Sequence, residues 1–573
     1  MSHAAFLSAI RANPDDDTAR LVYADFLDEQ GGPADAARAE FIRLQTRLAA
    51  LDEADPARAA LEDRENELLR AHERAWLGQL RPALAKGLSR WTFERGFVSK
   101  IGISAPALAD HGGPLFDRHP IATVRLDTPV PSEPGQLAKL ANRRWWERVR
   151  HLRIGEPAGA SIPTCEAILT SPRLAALRRL TVSAREVRGT APRLADVLSR
   201  GPWLAGLEDL RVRDWPHDPS ALVPVLDASA VRRVRLSGCV FTVAGLAAFL
   251  SSDFAGRPCR VELADGNLGA HLWPALRRRG VRPVLRRMGF ANVGRNTDVD
   301  LPTLLSSPAA ANLEALDASE TRLSGKKVLA LASSGFLRRA SEIGLTRCHV
   351  GVKTMAALAK EPAPRLRKLK LGETGLRTAG VQALCGAEWC DNLTHLDLMR
   401  NALDDDALVA LARSGKFVNV RRLDLRVNSP DLSAGCKAEI GDRGVAALAD
   451  APNFARLRHL NLYRTRVTAK GVDAVLNGPH WRISELELGG YDLGADLVNV
   501  LAKSPRLARL TRLGLSFTPA LGGDALLPLA ESPHLSPLCH LDIRYNNTSD
   551  RVRALFAERL GRRLEDYPPV GAW

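Results

Sequence analysis

The fold is decided by residues 393–403, which run Leu393-Thr394-His395-Leu396-Asp397-Leu398-Met399-Arg400-Asn401-Ala402-Leu403. Leucine alternates with polar residues at Leu396 and Leu398, an asparagine follows three residues later, and another leucine closes the pattern. Alternation of this kind predicts a short strand with one apolar face. The asparagine predicts a turn at the end of that strand. Because the pattern recurs along most of the chain, the sequence predicts an array of stacked repeats.

The second leucine of the pattern serves as the marker of each repeat. Most markers are 26–28 residues apart, whereas the step from Leu423 to Leu460 spans 37 residues. Between the strands, segments such as Gly380–Leu384, Gly444–Leu448 and Gly471–Val475 predict one helix in each repeat. The markers are Ile101, Val124, Leu152, Leu180, Leu210, Val234, Val261, Met288, Leu316, Ile343, Leu369, Leu396, Leu423, Leu460, Leu486, Leu513 and Leu541.

One strand and one helix per repeat, with asparagine, cysteine or threonine at the turn, resemble leucine-rich repeats of the ribonuclease-inhibitor type. The resemblance spans residues 95–560 and implies an α/β solenoid, a horseshoe with parallel strands inside and helices outside. Physical reasoning favours the same architecture, because each unit buries its apolar face only by stacking on its neighbours. We expect the turn residues, such as Asn401, Asn428 and the cysteines Cys239 and Cys348, to have structural roles.

Residues 1–80 differ from the repeats, and their patterns predict four short helices. Three motifs occur there in order, Asn13-Pro-Asp-Asp16, Arg20-Leu-Val-Tyr-Ala-Asp-Phe-Leu-Asp-Glu29 and Arg38-Ala-Glu-Phe-Ile-Arg-Leu-Gln45. They resemble the repeat-companion domain that precedes diverse repeat arrays in large-genome bacteria, and this resemblance implies no activity. We expect four charged residues of the motifs to form salt bridges between the helices. These are Arg20, Asp25, Arg38 and Glu40.

The sequence therefore predicts four segments. A small all-α module occupies residues 1–80, atypical N-terminal repeats or a cap occupy 81–150, the regular repeats occupy 151–560, and a tail occupies 561–573.

Composition narrows the classes of function. A net charge of +15 and a pI near 9.8 favour acidic partners. The eight irregularly placed cysteines do not form a disulfide framework. Since we find no signal peptide, membrane-spanning run, nucleotide-binding loop or catalytic motif, we expect a cytoplasmic monomer that is not an enzyme and needs no metal or cofactor.

Strand alternation places three residues of each repeat on the concave surface: those directly before, directly after and three after the marker. In the repeats marked by residues 152–288, the acids at these positions are Asp209 and Glu262 alone. This basic surface is either a solvated face or a docking surface for an acidic protein, with nucleic acid as a further alternative. Its arginines are Arg153, Arg179, Arg211, Arg213, Arg233, Arg235, Arg260 and Arg287.

A second candidate surface lies on three consecutive strands of the C-terminal half. Its two carboxylates and its histidines would suit metal binding or acid–base chemistry, but a cross-strand ladder of salt bridges is the simpler interpretation. The insertion at residues 429–440 follows one of these strands and indicates either a binding loop or a tolerated surface loop. The residues of this patch are His395, Asp397, Met399, Arg422, Asp424, Arg426, His459, Asn461 and Tyr463.

From the sequence alone, we expect the protein to be a non-enzymatic scaffold whose concave face binds a protein partner with an acidic surface. Two alternatives stay open. One is regulation of a small GTPase, which rests on analogy between folds. The other is nucleic-acid binding through the concave arginines.

Overall fold

The structure, a computed structural model, describes residues 2–14, 16–51, 55, 57–77, 83, 87–127, 139–156, 162–183, 191–213, 218–257, 259–264, 273–276, 282, 284–290, 300–428, 439–490 and 493–565. The chain divides into two compact units. Unit 1 comprises Met1–Arg286 and Pro308–Asn312, and unit 2 comprises Arg287–Ser307 and Leu313–Trp573. No helix in the described ranges combines the length and apolar character needed to cross a membrane. The segment boundaries proposed from the sequence stay predictions.

Unit 1 begins with the four predicted helices, α1 (His3–Ala12), α2 (Thr18–Glu29), α3 (Pro33–Ala50) and α4 (Arg58–Trp76). Apolar residues of α1, α2 and α3 form a shared core with Phe97, because each of these helices has one apolar stripe. The buried residues of this core are Phe6, Ile10, Tyr23, Ala24, Leu27, Ala39, Ile42 and Phe97.

The charged motif residues of this module have two kinds of surroundings. Asp25 accepts from Arg43 at 2.6 Å and Glu40 accepts from Arg64 at 2.6 Å, so the salt-bridge prediction is confirmed for these two acids. Arg20 donates from Nη1 to the backbone carbonyl of Asp16 at 2.9 Å.

For Arg38 the salt-bridge prediction is wrong. Its guanidinium lies 4.7–5.9 Å from the centroids of the Phe41, Trp76, Phe93 and Phe97 rings. Within the described residues it makes no ion pair, and burial lowers its pKa to about 10. The rings' negative faces therefore stabilise the charge in place of a carboxylate.

The strands of unit 1 follow the helical module. The first two form an antiparallel hairpin that turns at Arg95 and Gly96, both in the left-handed region, and the later strands pair in parallel. The antiparallel hairpin was not expected, because a leucine-rich repeat pattern predicts parallel strands alone. The strands are β1 (Leu88–Glu94), β2 (Phe97–Ser104), β3 (Thr123–Asp127), β4 (His151–Glu156), β5 (Arg179–Ser183), β6 (Asp209–Arg213), β7 (Arg233–Ser237) and β8 (Arg260–Ala264).

Unit 2 continues the parallel pattern with shorter strands. Residues from Arg287 onward in the first of them belong to unit 2. The strands are β9 (Leu285–Gly289), β10 (Ala315–Asp317), β11 (Glu342–Gly344), β12 (Lys368–Lys370), β13 (His395–Asp397), β14 (Arg422–Asp424), β15 (His459–Asn461), β16 (Glu485–Glu487), β17 (Arg512–Gly514), β18 (His540–Asp542) and β19 (Leu564–Glu565).

A helix follows most strands and packs on the helix of the next repeat. The glycine near the start of several helices permits close packing, since a Cβ on Gly444 would lie 2.9 Å from the Cα of Asp405. The helices of the repeats are α5 (Ala105–Arg118), α6 (Ile162–Leu169), α7 (Ala191–Ser199), α8 (Val223–Asp227), α9 (Val243–Ser251), α10 (Trp273–Leu276), α11 (Leu301–Ser306), α12 (Gly325–Val328), α13 (Ala330–Ser333), α14 (Gly351–Lys360), α15 (Arg377–Cys385), α16 (Asp405–Arg413), α17 (Asp442–Ala449), α18 (Ala469–Asn477), α19 (Ala495–Lys503), α20 (Leu527–Glu531) and α21 (Asp550–Leu560).

The marker residues form the core of the array. Each marker is at most 4% exposed, and within each unit the markers of neighbouring strands pair directly, as Leu396 does with Leu423. Met288, the weakest match to the pattern, is also in register, opposite Leu316. The protein is thus an α/β leucine-rich repeat solenoid, as the sequence predicts.

The fifth residue after the marker closes the turn of several repeats. Asn428 is fully buried, and its Oδ1 accepts from the backbone N–H groups of Asn401 at 2.8 Å and Leu403 at 3.2 Å. Its Nδ2 donates to the carbonyls of Leu398 at 3.1 Å and Leu425 at 2.9 Å. One amide therefore satisfies four backbone groups in two adjacent repeats, which is the structural role expected for this position.

The two cysteines at this position also have the expected structural character. Cys239 and Cys348 are buried, and burial raises the pKa of the Cys239 thiol to about 12 and the pKa of the Cys348 thiol above its usual value. Neutral, buried thiols are small apolar groups rather than nucleophiles.

We predict that Asn428→Ala lowers the free energy of unfolding by about 3 kcal/mol, because it leaves two N–H groups and two carbonyls buried without partners. Urea unfolding followed by circular dichroism measures the change. Asn477→Ala is the matched control, since Asn477 is exposed at the end of α18, and its effect should stay within about 0.5 kcal/mol. Equal effects of the two substitutions would contradict the role assigned to Asn428.

Candidate interaction surface

Register places the polar residues of the repeats on one face of the strands. The residues directly before and after each marker align from strand to strand, as Arg179, Asp209, Arg233 and Arg260 do in unit 1. We call the positions directly before, directly after and three after the marker the strand face. Side chains there point away from the buried markers, because successive residues of a strand alternate in direction.

The strand face of β3–β8 is strongly basic. Eight arginines occupy it against three carboxylates, Asp127, Asp209 and Glu262. The register brings together every unit 1 arginine predicted from the sequence. The arginines are Arg125, Arg153, Arg179, Arg211, Arg213, Arg233, Arg235 and Arg260.

All three carboxylates of this face already have arginine partners. Arg211 and Arg233 lie 2.9 and 3.7 Å from Asp209. Separately, Arg235 pairs with Glu262 at 2.5 Å, and the Asp127 carboxylate accepts from an adjacent arginine at 2.9 Å. The acids of the face therefore have little capacity left to neutralise further cations.

Three arginines of the face make no ion pair with any carboxylate in the described ranges of the chain. They are Arg153 on β4, Arg179 on β5 and Arg260 on β8, and the last two are exposed. His151 adds no charge, because burial and the neighbouring Arg179 and Lys100 lower its pKa to about 4. The face thus has a net positive charge with guanidinium groups directed to solvent.

The unit 2 patch predicted from the sequence also assembles as expected. His395, Arg422 and His459 align on β13–β15, and Asp397, Asp424 and Asn461 align beside them. The third row of the patch, three residues after the markers, consists of Met399, Arg426 and Tyr463.

The two arginines of this patch are already paired within unit 2. Arg422 lies 3.3 Å from Glu485, which also accepts from His459 Nδ1 at 2.8 Å. Arg426 lies 3.4 Å from Asp424 and donates from Nη2 to the thioether sulfur of Met399 at 3.1 Å. The Arg422–Glu485 pair crosses strands, as the predicted ladder requires, whereas Arg426 pairs with Asp424 of its own repeat.

Similar pairs cross the other strands of unit 2. Arg287, which the sequence placed with the basic surface, contacts Glu342 through both Nη atoms. Lys370 pairs with Asp317 at 2.8 Å. The strand face of unit 2 is thus neutralised largely by its own side chains.

Asp397 differs from Arg422, Asp424 and Arg426 of the patch, which form ion pairs. It accepts from the backbone N–H of Met399 at 2.9 Å, and in the described residues it forms no ion pair. Burial, together with the carboxylate of Asp424 on the next strand, raises the pKa of Asp397 to about 6. Burial also raises the pKa of Asp424. Two adjacent carboxylates therefore share a site that disfavours full ionisation.

Two observations bear on the alternatives of metal binding and acid–base chemistry at this patch. Across the described residues, no group of three or more His, Cys, Asp or Glu side chains is arranged to hold a metal ion. His395 is also a weak base, since burial and the nearby Lys368 and Arg422 lower its pKa to about 4. The 429–440 insertion lies outside the described residues except for Glu439 and Ile440.

Sequence reasoning missed one further row of this surface. It considered positions one before, one after and three after the marker, but not the fourth position, where Phe517 and Tyr545 stack with ring centroids 4.2 Å apart. The sequence does contain a pattern that marks them, since each residue is an aromatic that lies four residues after its marker, Leu513 or Leu541.

Comparisons with known proteins agree with the repeat architecture. A family model described as Leucine Rich repeat matches residues 390–412, the stretch that contains Asn401. No curated protein matches the chain.

Two solved structures are similar at low identity. The crystal structure of the Rad7 and Elc1 complex in yeast has 14% identity and a TM-score of 0.38, over 73% of this chain and 95% of that chain. The leucine-rich repeat ectodomain of the plant membrane receptor kinase GASSHO1/SCHENGEN3 from Arabidopsis thaliana, in complex with Casparian strip integrity factor 2, has 12% identity and a TM-score of 0.28. That match covers 82% of this chain and 57% of that chain.

We predict that Asp397→Asn stabilises the protein in a pH-dependent manner. The folded-state pKa of about 6 exceeds the usual unfolded value near 4. The protonated carboxyl therefore favours folding below about pH 4, and this contribution is lost as the pH rises through about 6. At pH 8 the substitution should raise the free energy of unfolding by about 1–2 kcal/mol, and at pH 4 the gain should vanish.

Asp542→Asn is the matched control for this measurement by urea unfolding. Asp542 occupies the same position in its repeat, but its carboxylate accepts from Arg544 at 2.6 and 2.8 Å. Removing that charge should destabilise the protein at pH 8. A stabilisation by Asp542→Asn, or no pH dependence for Asp397→Asn, would contradict the account of the carboxylate pair.

Proposed function

We propose that this protein is a non-enzymatic interaction scaffold that binds an acidic protein partner on the strand face of unit 1. The observation that carries the proposal is the excess of arginine there, with Arg153, Arg179 and Arg260 outside any ion pair in the described residues. Guanidinium groups suit this task because they bind carboxylates through two parallel hydrogen bonds. We place the interaction in the cytoplasm and assign it to the monomeric chain.

The paired arginines support the same surface. Asp209 holds Arg211 through two hydrogen bonds of 2.9 and 3.1 Å, which fixes the plane of that guanidinium. Arg235 is held likewise against Glu262. A partner's carboxylate thus meets donors that are already ordered, so less side-chain entropy is lost on binding.

An acidic protein fits this face better than nucleic acid does. No aromatic residue other than His151 occupies the described strand-face positions of β3–β8, so bases have no platform on which to stack. Asp209 and Glu262 lie among the arginines and would repel a continuous phosphate backbone. Regulation of a small GTPase rests on fold analogy alone.

The unit 2 patch is proposed as a second contact. Its supporting observation is Asp397, a carboxylate without an ion pair among the described residues, which suits a basic side chain of a partner. Arg422, Arg426 and Tyr463 would flank that contact.

Binding is tested with a glutamate-rich 20-residue peptide and a DNA duplex of equal charge, each titrated against the full chain at two salt concentrations. We predict that the peptide binds more tightly than the duplex at physiological salt. The triple variant Arg153→Glu, Arg179→Glu, Arg260→Glu should weaken peptide binding at least about tenfold, because like charges then face the ligand.

The matched control carries the same change of charge away from the strand face. Arg47→Glu, Arg118→Glu and Arg144→Glu alter three exposed arginines of unit 1, and this variant should bind the peptide within about twofold of the unmodified chain, since rim and remote charges contribute little. Preference for the duplex, or equal loss in both triple variants, would contradict the proposal.

A further inference from the structure

The fourth residue after each marker from Leu316 to Leu541 forms a row in unit 2, which we call the turn row. All its members have a left-handed backbone, with φ between 50° and 98°. Glycine tolerates this conformation, whereas bulky residues are rare in it. The turn row consists of Glu320, Arg347, Glu373, Arg400, Val427, Arg464, Gly490, Phe517 and Tyr545.

The first part of the turn row is charged and internally paired. Arg347 contacts Glu320 at 2.5 Å and Glu373 at 2.8 Å, and Arg400 lies 3.7 Å from Glu373. Charged residues suit an exposed turn, and here they neutralise one another.

The end of the row has a different character. Phe517 and Tyr545 are each 44% exposed, and their rings stack at 4.2 Å with an angle of 22° between planes. Neither burial nor backbone preference explains aromatic residues at these positions. Side chains that depart from local folding preferences in this way often mark functional sites.

Arg464, two repeats before Phe517, supplies a cation in the same row. Its guanidinium lies 5.5 Å from the ring centroid of Tyr463, and it makes no ion pair with the described carboxylates. Between them, Gly490 has φ +98°, and a Cβ there would lie 3.0 Å from the Tyr463 ring. Gly490 thus separates the Arg464–Tyr463 contact from the stacked rings of Phe517 and Tyr545.

We propose that Tyr463, Arg464, Gly490, Phe517 and Tyr545 form a binding site, the turn patch, for an extended segment of an acidic protein. Arg464 would bind a carboxylate of the ligand, and an apolar side chain of the ligand would pack on the stacked rings. Aromatic and arginine residues dominate the binding energy of protein interfaces.

The spacing of the turn patch defines the motif of the ligand. Arg464 and Phe517 lie two strand spacings apart, which is about 10 Å. An extended chain that crosses the strands covers this distance in about three residues. The ligand should therefore carry Asp or Glu three residues from a proline, aliphatic or aromatic residue. This site goes beyond the proposed function, because it adds an apolar contact with Phe517 and Tyr545 that neither the unit 1 face nor the unit 2 patch supplies, although it shares Tyr463 with that patch.

A phage-displayed library of random 12-residue peptides tests the site. The bait is the full chain with the Arg153→Glu, Arg179→Glu, Arg260→Glu substitutions, so that peptides selected by the unit 1 face are excluded. We expect enrichment of peptides with the acidic and apolar residues three apart. Fluorescence polarisation with one such peptide should show a loss of affinity of at least about tenfold for Phe517→Asn with Tyr545→Asn, since asparagine keeps the left-handed turn.

Two comparisons make the result specific. Arg464→Gln should weaken binding about fivefold, and replacing the peptide's acid with alanine should then cause no further loss, because the two groups act as a pair. Glu320→Asn, at the same repeat position outside the patch, should leave affinity within twofold. Failure to enrich the motif, or unchanged binding to the Phe517 and Tyr545 double variant, would overturn the proposal without affecting the unit 1 face.

Discussion

The architecture of unit 2 depends on satisfying the backbone groups of one buried turn in each of several repeats. Asn401 and Asn428 each form hydrogen bonds to these backbone groups through one side-chain amide. The hydroxyl of Thr374 donates to one such group, the carbonyl of Leu371. The turn must be buried because the next repeat stacks on it, and a buried N–H or carbonyl without a partner is costly. Once this position and the marker are fixed, the strand, turn and helix of such a repeat follow.

Because the marker and the turn residue carry the fold, the other positions of a repeat are free to vary. Substituting Arg179 or Arg260 exposes no apolar surface and breaks no backbone hydrogen bond, because both side chains are exposed and the markers beside them carry the core. Phe517 in unit 2 is also partly exposed, at 44%, and its ring contacts the ring of Tyr545. We therefore expect the proposed binding residues to be ones that the fold does not need, so that binding can change without loss of stability.

Sequence periodicity predicted the markers, the register and the sides of the strands, because these depend on alternation and spacing alone. It did not predict which charges pair. Arg287 pairs with Glu342, two strands away, and Arg38 lies among aromatic rings. Both arrangements depend on side-chain rotamers and on neighbours that are distant in sequence, so the sequence pattern does not reveal them. The raised pKa of Asp397 has the same origin, because burial and Asp424 act together.

We propose that Arg153, Arg179 and Arg260 are the cations of unit 1 that face the ligand. Arginine modification by phenylglyoxal, followed by mass spectrometry with and without the glutamate-rich peptide, tests it directly. We expect these three to react faster than Arg211 and Arg235 in the free chain and to become protected when the peptide binds. Protection confined to arginines outside the strand face, or no protection of these three at saturating peptide, would contradict it.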